Sequence, residues 1–323
     1  MTESTPYHKL TWPLFLQLIR LPVKLASAMP FALGVLYAWH DQGGFNGVNT
    51  LIYFVGQLSI ACFVTGFNNV QDYHKSKDED YRQNGNIIGT AHLDPRRIMA
   101  LMLTLLGVAV VAGLILVVRT NLVLLFIGAT AIAIAIFYTF GPMPISRLPI
   151  GEVVSSMTEG FGTFFIAYFV NVPNRPLGLD LTWRTFSLHG NIEVIAQMLL
   201  VAAPIIILEA NIMFANNIGD IEEDITNHRA TLAVYLGHDR SLAIYRWVPV
   251  AAYLAIVAAV ALGLMPWPTL FVLLLWPLIH KNIQRFMAVQ VRRLTFKTAV
   301  NNLLFTVGAE VLVLAGWSLW QSL

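Results

Sequence analysis

Apolar runs close to 20 residues long recur along the whole chain, and no other feature limits its fold as strongly. A helical run of this length matches the hydrocarbon thickness of a bilayer. Hydrophobic residues make up 57% of the 323 positions, charged residues only 12%, and the mean hydropathy is +0.66. One aqueous core cannot hide that much apolar surface, so the composition excludes a soluble enzyme. We predict an all-α integral membrane protein.

The apolar windows predict about nine transmembrane helices. They lie near residues 22–40, 50–70, 97–118, 121–139, 150–171, 193–216, 242–264, 267–280 and 300–320. No linker or low-complexity tract interrupts the series, so we expect a single polytopic membrane domain over residues 1–323. The first window contains Lys24 and Pro30, which argues against a cleavable signal peptide.

The basic residues predict how these helices are oriented. With a cytoplasmic N-terminus, only Arg119, Arg175 and Arg184 of the 20 Lys and Arg residues fall on the outer side. Such an excess of positive charge on the inner side follows the positive-inside rule, and it favours an odd number of spans. We therefore expect a multi-pass protein of the cell (plasma or inner) membrane, with its N-terminus and its active-site loops in the cytoplasm.

The remaining composition argues against several kinds of partner. A formal net charge of +2 is too small to indicate a nucleic-acid partner. Cys62 is the one cysteine of the chain, so neither a disulfide framework nor a thiolate metal site is expected. No sequence feature indicates an obligate protein partner, whereas the lipid bilayer must cover the apolar helices.

A short motif of the pattern x-N-N-(I/V)-x-D occurs twice, at residues 67–72 and 215–220. Both copies end even-numbered spans, so both should lie at the cytoplasmic mouth of the bundle. On a helix, Asn68 and Asp72 share one face because they are four residues apart. The second copy should continue this spacing through Asn216, Asp220 and Asp224, which predicts two facing ladders of oxygen ligands.

The chemistry of these ladders indicates a divalent cation and a diphosphate. Closely packed carboxylates near a bilayer stay ionised only when a cation neutralises them. Oxygen ligands without nearby Cys or paired His favour Mg²⁺, which typically joins one or two carboxylates to a phosphate. Basic side chains that could hold phosphate oxygens follow each copy: Lys75, Lys77 and Arg82 after the first, and Arg229 after the second.

Four further ionisable residues lie inside apolar runs, where a charge is costly and a functional role is the first hypothesis: Lys24, Glu159, Glu209 and Glu310. Glu209 lies seven residues before Asn216, two helical turns deeper on nearly the same face. Structural pairing, such as Lys24 with one of these acids, explains them equally well.

Two other interpretations of the acidic motifs compete with the diphosphate hypothesis. Acid-rich helix ends are often ordinary solvated surfaces. An ion-coupled membrane transporter would also place acids in its spans, but it typically binds its substrate at mid-bilayer between inverted repeats. Here both motifs lie at one side, on spans of the same direction, with cations nearby, which favours an enzyme.

The chain resembles the UbiA-type intramembrane prenyltransferases over almost its whole length, and within them the 1,4-dihydroxy-2-naphthoate polyprenyltransferases. Their first motif, N-D-x-x-D-x-x-x-x-x-D, is similar to Asn68, Asp72 and Asp78, with Asn69 in place of the usual Asp. Their second motif, N-N-x-x-D-x-x-x-D, is matched over residues 216–224. The K-R-T-L-A-x-x-L-G that follows it resembles residues 229–237, with Arg229 for Lys and Ala230 for Arg. Residues 137–142 and 151–152 also resemble the F-Y-T-x-G-P and G-E/D segments of the family.

The resemblance implies about nine helices around a central cavity and Mg²⁺-dependent transfer of a polyprenyl group from polyprenyl diphosphate to an aromatic acceptor. The acceptor it implies is 1,4-dihydroxy-2-naphthoate, in menaquinone or demethylmenaquinone synthesis; 4-hydroxybenzoate, homogentisate and tetrapyrroles are the alternatives. With this reaction, Asp72, Asp78, Asp220 and Asp224 are predicted to bind Mg²⁺, and Asn68 and Asn216 to orient the ligands. The cations that follow the motifs are predicted to bind diphosphate: Lys75, Lys77, Arg82 and Arg229. The candidates for the acceptor pocket are Tyr138, Glu152, Lys24 and Glu209.

Overall fold

The computed structural model describes residues 7–76, 79 and 81–323, and this part of the chain is mostly helical. The α-helices are α1 (Trp12–Leu18), α2 (Leu21–Gln42), α3 (Gly47–Lys75), α4 (Ile87–Thr90), α5 (Pro95–Arg119), α6 (Val123–Phe137), α7 (Gly151–Ser156), α8 (Thr163–Phe169), α9 (Ile192–Gly219), α10 (Ile221–Thr226), α11 (Leu232–Leu236), α12 (His238–Ala261), α13 (Trp276–Ala288) and α14 (Arg292–Ser322). Strands β1 (Leu177–Leu181) and β2 (Phe186–Gly190) form an antiparallel hairpin in which Leu177 pairs with Gly190.

Each predicted span coincides with helical structure, although two of the spans are not regular α-helices. The fifth consists of α7, a π-helical segment (Met157–Gly162) and α8, and the eighth begins with a 3₁₀ segment (Trp267–Leu275) that continues into α13. Among the described residues, five helices are long and apolar enough to cross a membrane, namely α3, α5, α9, α12 and α14. The count of nine spans therefore stays a prediction.

Polar caps fix where three of the long helices begin. The side chain of Asn46 accepts a hydrogen bond from the backbone N–H of Asn49 at the start of α3. Asp94 caps α5 in the same way, directly before Pro95, and Asn191 caps α9. Such side chains satisfy backbone donors that have no partner inside the helix. These caps place the starts of α3, α5 and α9 just before the corresponding apolar windows.

Hydrogen bonds between helix ends show that neighbouring helices alternate in direction. At one end of the bundle, Asn49 at the start of α3 donates to the carbonyl of Val170 after α8 at 2.7 Å, and its side-chain oxygen accepts from Arg119 at the end of α5. At the opposite end, Asn69 near the end of α3 donates to the carbonyl of Leu18, just before α2, at 2.9 Å. This arrangement agrees with the alternation predicted from the spans.

Helix α9 lies at the centre of the bundle and carries the second motif. It packs against α7, α12 and α14, and it is the most deeply buried of the five long apolar helices. Its buried positions include Ile205, Leu208 and Ile212. The second motif therefore lies at the end of a deeply buried helix.

Substitution of Gly34 should test the close packing of α2 on α8. A Cβ atom added there would lie 2.7 Å from the Cβ of Ala167 and closer still to the carbonyl oxygen of Phe164. We expect Gly34→Ala to lower the free energy of unfolding by about 1–3 kcal/mol because the helices must separate. Thermal denaturation in detergent measures this. Gly107→Ala is the matched control, since no atom lies within 4 Å of its added Cβ; equal melting temperatures for the two variants would contradict the packing argument.

Candidate active site at the ends of helices α3 and α9

The first motif occupies the last turns of α3, as the sequence predicts. Asn68 and Asp72 are four residues apart within the continuous helix, so they lie on one face. The side-chain oxygen of Asn68 accepts a hydrogen bond of 2.5 Å from the hydroxyl of Thr139, and Asp72 is exposed. The motif therefore lies where α3 leaves the apolar core, next to the segment that follows α6.

The second motif does not continue as one helix, and here the sequence prediction is wrong. Helix α9 ends at Gly219, and Asp220 adopts a non-helical conformation (φ −110°, ψ 11°) before α10 begins. The side chain of Asn216 donates to the carboxylate of Asp220 at 3.1 Å. The break turns the chain after Asp220, so Asp224 does not continue a straight ladder from Asn216.

Asp224 is buried and holds Arg229 in place. Only 1% of Asp224 is exposed. One of its carboxylate oxygens lies 3.2 Å from the guanidinium Nη1 of Arg229, and the other accepts from the hydroxyl of Thr231 at 3.1 Å. The Arg229 side chain itself is about one-third exposed. This contact orients the cation of the second motif; the predicted role of Asp224 as a Mg²⁺ ligand stays a prediction.

Residues 138–152, which form the connection between α6 and α7 and the start of α7, contact both motifs. On one side, Thr139 in this connection donates to Asn68 of the first motif. On the other side, Asn217 of the second motif donates to the carboxylate of Glu152, at the start of α7, at 2.8 Å. Both motifs therefore lie at the same end of the bundle. The resemblance covered Thr139, Glu152 and Asn217, but sequence reasoning did not predict their contacts, because spacing along the chain does not show which distant residues meet.

A third contact ties the segment after the second motif to the same connection. The backbone N–H of Ala230 donates to the carbonyl of Arg147 at 2.9 Å. The backbone of Arg147 thus lies beside Ala230, the position where the family motif carries an arginine. Arg147 was not among the residues that we predicted to contact the diphosphate.

The other departure from the family motif, Asn69, has a structural explanation. Asn69 is buried, and its amide nitrogen donates to the carbonyls of Leu18 and Thr65 at 2.9 and 3.1 Å. The backbone carbonyl of Asn69 accepts a hydrogen bond from the side-chain amide of Asn86 at 2.9 Å. An ionised aspartate has no proton to donate to these two carbonyls. Asn69 therefore holds α3 against the chain before α2. The predicted oxygen ligands Asn68 and Asp72 lie on one face of α3 and do not include Asn69.

The structure describes only some of the residues that were predicted to form the site after the first motif. Lys77 and Asp78 lie outside the described residues, as does the side chain of Lys75. Arg82 pairs with Glu79 on the surface. Hydrogen bonds from Gln83 and then from Arg82 lower the pKa of the exposed Glu79 carboxyl. The predicted diphosphate role of Arg82 therefore competes with this surface ion pair.

The predicted acceptor residues fall into two groups. Tyr138 and Glu152 lie at the motif end of the bundle, where the Tyr138 hydroxyl lies near Gly151. Lys24 and Glu209 lie deeper, beside Glu159. Glu159 is close enough to interact electrostatically with both Tyr138 and Glu209, and a common acceptor pocket formed by the four residues stays a prediction.

The oxygen donors at this end are of the chemical kind that Mg²⁺ prefers. Asp72 and Asp220 offer carboxylates from separate elements, and Asn68 and Asn216 offer amides. No group of three or more His, Cys, Asp or Glu side chains within the described part of the chain is arranged to hold a metal ion by itself. Mg²⁺ commonly uses one or two protein carboxylates and completes its shell with water and phosphate oxygens, so this donor set suits it.

Comparison with known proteins identifies the family. The model of the UbiA prenyltransferase family matches residues 27–318. The chain belongs to this family. The 1,4-dihydroxy-2-naphthoate octaprenyltransferase of Bacillus subtilis (strain 168) is 28% identical over 279 residues, which cover 84% of this chain and 81% of the relative. The protein of the same name from Mycobacterium tuberculosis is 28% identical over 246 residues, 74% of this chain and 76% of that relative.

Solved structures confirm the fold. A UbiA homologue from Archaeoglobus fulgidus bound to DMAPP and Mg²⁺ has a TM-score of 0.57 at 12% identity and covers 93% of this chain and 99% of its own. The apo structure of a UbiA homologue from Aeropyrum pernix K1 has a TM-score of 0.62 at 17% identity, with coverage of 90% and 97%. The predicted resemblance is thus confirmed.

The UbiA family consists of prenyltransferases, so this chain is a multi-pass membrane prenyltransferase. The family assignment decides between the two classes of function that the sequence left open. An ion-coupled transporter is set aside in favour of an enzyme.

Substitution of Arg229 should separate its charge from its shape. We expect Arg229→Ala to raise the KM for polyprenyl diphosphate about tenfold, because one charge-assisted contact to phosphate is lost and Asp224 loses its cation. Arg229→Lys, which restores the residue typical of the family motif, should keep KM within about threefold. Steady-state kinetics in detergent measures both. An unchanged KM in Arg229→Ala would remove Arg229 from the diphosphate site.

Proposed function

We propose that this enzyme transfers a polyprenyl group from polyprenyl diphosphate to 1,4-dihydroxy-2-naphthoate in a Mg²⁺-dependent reaction. The curated relatives named above carry this acceptor in their names and align with most of the chain. The observation that carries the proposal is the contact of residues 138–152 with both motifs: Thr139 donates to Asn68 of one motif, and Glu152 accepts from Asn217 of the other. Two acidic helix ends held at one end of a membrane bundle suit a diphosphate headgroup whose tail is apolar.

Asp72, Asp78, Asp220 and Asp224 would hold Mg²⁺ in this proposal, and Asn68 and Asn216 would orient the carboxylates. When bound, Mg²⁺ would supply Lewis-acid stabilisation of the diphosphate leaving group. Asn216 already donates to Asp220 and so limits the positions that this carboxylate adopts. A neutral amide orients a carboxylate without adding a repelling charge.

The cations of the site would bind the diphosphate oxygens and stabilise the charge that develops on them as the C–O bond breaks. Arg229 is the best-positioned of these cations, since buried Asp224 fixes its guanidinium while part of it stays exposed. Lys75, Lys77 and Arg82 are the proposed cations of the first motif. The positioned charges need no rearrangement during the reaction, which is the basis of their catalytic effect.

We propose that the motif end of the bundle faces the cytoplasm of the cell membrane, as the distribution of Lys and Arg predicts. The polyprenyl tail would then lie along apolar helices while the headgroup stays at the aqueous surface. Tyr138 and Glu152, at the same end, are proposed to border the acceptor near the headgroup.

Product analysis tests the proposed acceptor directly. Membranes containing the protein are incubated with labelled polyprenyl diphosphate, Mg²⁺ and each of four acceptors: 1,4-dihydroxy-2-naphthoate, 4-hydroxybenzoate, homogentisate and a tetrapyrrole. Mass spectrometry of the lipid extract should find a prenylated product that has lost the carboxylate of the naphthoate. Turnover of another acceptor alone would replace the naphthoate in the proposal while keeping the enzyme class.

A further inference from the structure

A second polar cluster lies inside the bundle, away from the acidic motifs. It consists of Lys24 and Ser27 on α2, Glu159 in the π-helical segment, and Glu209 on α9. Ser27 donates a hydrogen bond to Glu159, and both Lys24 and Glu159 lie close enough to Glu209 to interact electrostatically with it. Three separate segments therefore bring polar side chains together inside apolar surroundings.

Glu209 is the member of the cluster with a buried carboxyl oxygen that accepts no hydrogen bond within the described part of the chain. The residue is 8% exposed, and its Oε2 atom has no hydrogen-bond partner among the residues that the structure describes. An unsatisfied buried carboxyl is costly, and more so inside a membrane. Glu159 differs, because Ser27 already donates to it. Glu209 is thus the side chain with unused hydrogen-bonding capacity.

The backbone of the π-helical segment packs closely against the Glu209 carboxyl. Gly160, next to Glu159 in the π-helical segment, would place an added Cβ atom only 3.1 Å from the Oε2 of Glu209. A larger residue would crowd the carboxyl. π-Helical turns inside α-helices are rare and frequently occur at functional sites. This turn therefore adds an independent indication that the cluster serves the reaction.

The distance between the cluster and the proposed diphosphate site is large enough for the two reacting groups. Glu209 and Asn216 are both on α9, seven residues and nearly two full turns apart, so they point in nearly the same direction. At 1.5 Å per residue, Glu209 is about 10 Å deeper along the helix axis. An allylic carbon and an aromatic ring fit within this separation.

We infer that Glu209, with Glu159 and Lys24 beside it, forms the subsite that recognises a ring hydroxyl of the aromatic acceptor. The Glu209 carboxyl exchanges a hydrogen bond with the hydroxyl group, which satisfies both groups in the membrane interior. A site built to bind a hydroxyl strongly rejects an analogue that lacks it, so Glu209 determines specificity for hydroxylated rings. This inference rests on the proposed prenyl transfer, but any hydroxylated aromatic acceptor satisfies it.

Replacement of Glu209 by leucine tests the inference through KM values. We expect Glu209→Leu to raise the KM for the hydroxylated acceptor roughly ten- to hundredfold, the loss expected when a buried hydroxyl keeps no partner. The KM for polyprenyl diphosphate should stay within twofold, because that substrate binds at the motifs. The preference of the enzyme for the free acceptor over its O-methyl ether should fall at least tenfold.

A matched control and a stability measurement separate recognition from structure. Glu310 on α14 is 2% exposed, and its Oε2 atom likewise has no partner among the described residues. Glu310→Leu should leave both KM values within twofold. Glu209→Leu should melt at the same or a higher temperature, because it removes an unsatisfied buried carboxyl.

The inference is overturned if Glu209→Leu leaves the acceptor KM and the methyl-ether preference unchanged, or if it lowers the melting temperature and alters both KM values together. The rise in melting temperature with Mg²⁺ plus pyrophosphate is measured on wild type and Glu209→Leu. It reports on the diphosphate site alone, so it distinguishes a failure of this inference from a failure of the proposed function. If the wild-type enzyme turns over none of the hydroxylated acceptors, the proposed function fails first.

Discussion

Replacing either Asp72 or Asp220 by asparagine is expected to lower prenyl transfer by roughly a hundred- to thousandfold or more, while the protein stays folded in the membrane. Each substitution removes a negative oxygen donor for the proposed Mg²⁺ site, and loss of one preorganised electrostatic contact typically costs this much in kcat. Asp72 is exposed, and an asparagine at position 220 can still accept from Asn216 through its side-chain oxygen. Labelled-prenyl transfer in proteoliposomes measures the effect.

Asp239→Asn is the matched control for these two variants. Asp239 is a fully exposed carboxylate in the first turn of α12, which follows the second motif closely in sequence. The charge change is the same, but no proposed ligand is lost, so turnover should stay within about twofold. Comparable losses in all three variants would show that net surface charge, and not ligand position, controls the activity.

Removal of divalent cations is expected to lower prenyl transfer at least as much as either aspartate substitution does. EDTA should reduce turnover to the background of protein-free membranes, and added Mg²⁺ should restore it, because the proposed leaving group carries several negative charges that the protein cations alone do not balance. Mg²⁺ together with pyrophosphate should also raise the melting temperature of the wild-type protein. A ligand at a hundred times its Kd contributes about 2.7 kcal/mol to stability.

The same stabilisation should be absent in Asp220→Asn and present in Asp239→Asn, which links the cation to the motif. Full turnover in EDTA, with metal content checked by elemental analysis, would be evidence against the metal role of all four proposed aspartates. Stabilisation by Mg²⁺ alone, without pyrophosphate, would instead place the cation in a site formed only by the protein.

Sequence patterns predicted the helices well because their cause is local. A run of apolar residues must be helical inside lipid, where backbone groups find no water, and caps such as Asn46 and Asp94 mark the helix starts. The predicted chain path from the first motif to the second crosses four spans, an even number, which predicted that both motifs emerge at the same end of the bundle. Counting the predicted spans along the chain is enough for that conclusion.

Local reasoning failed where a neighbouring segment decides the conformation. The spacing of Asn216, Asp220 and Asp224 suggested one straight helix, yet α9 ends at Gly219. The buried pairing of Asp224 with Arg229 and Thr231 holds the chain that follows the break. The β-hairpin was missed because its residues lie between apolar runs.

The sequence by itself determined that this protein is a membrane bundle with two acidic motifs at one end, because hydrophobic length and residue spacing are properties of the chain alone. Tertiary structure decided which side chains meet: Thr139 with Asn68, Glu152 with Asn217, and Glu209 with the cluster on α2 and the π-helical segment. These residues are far apart in sequence, and only the packing of helices against one another sets the distances between them.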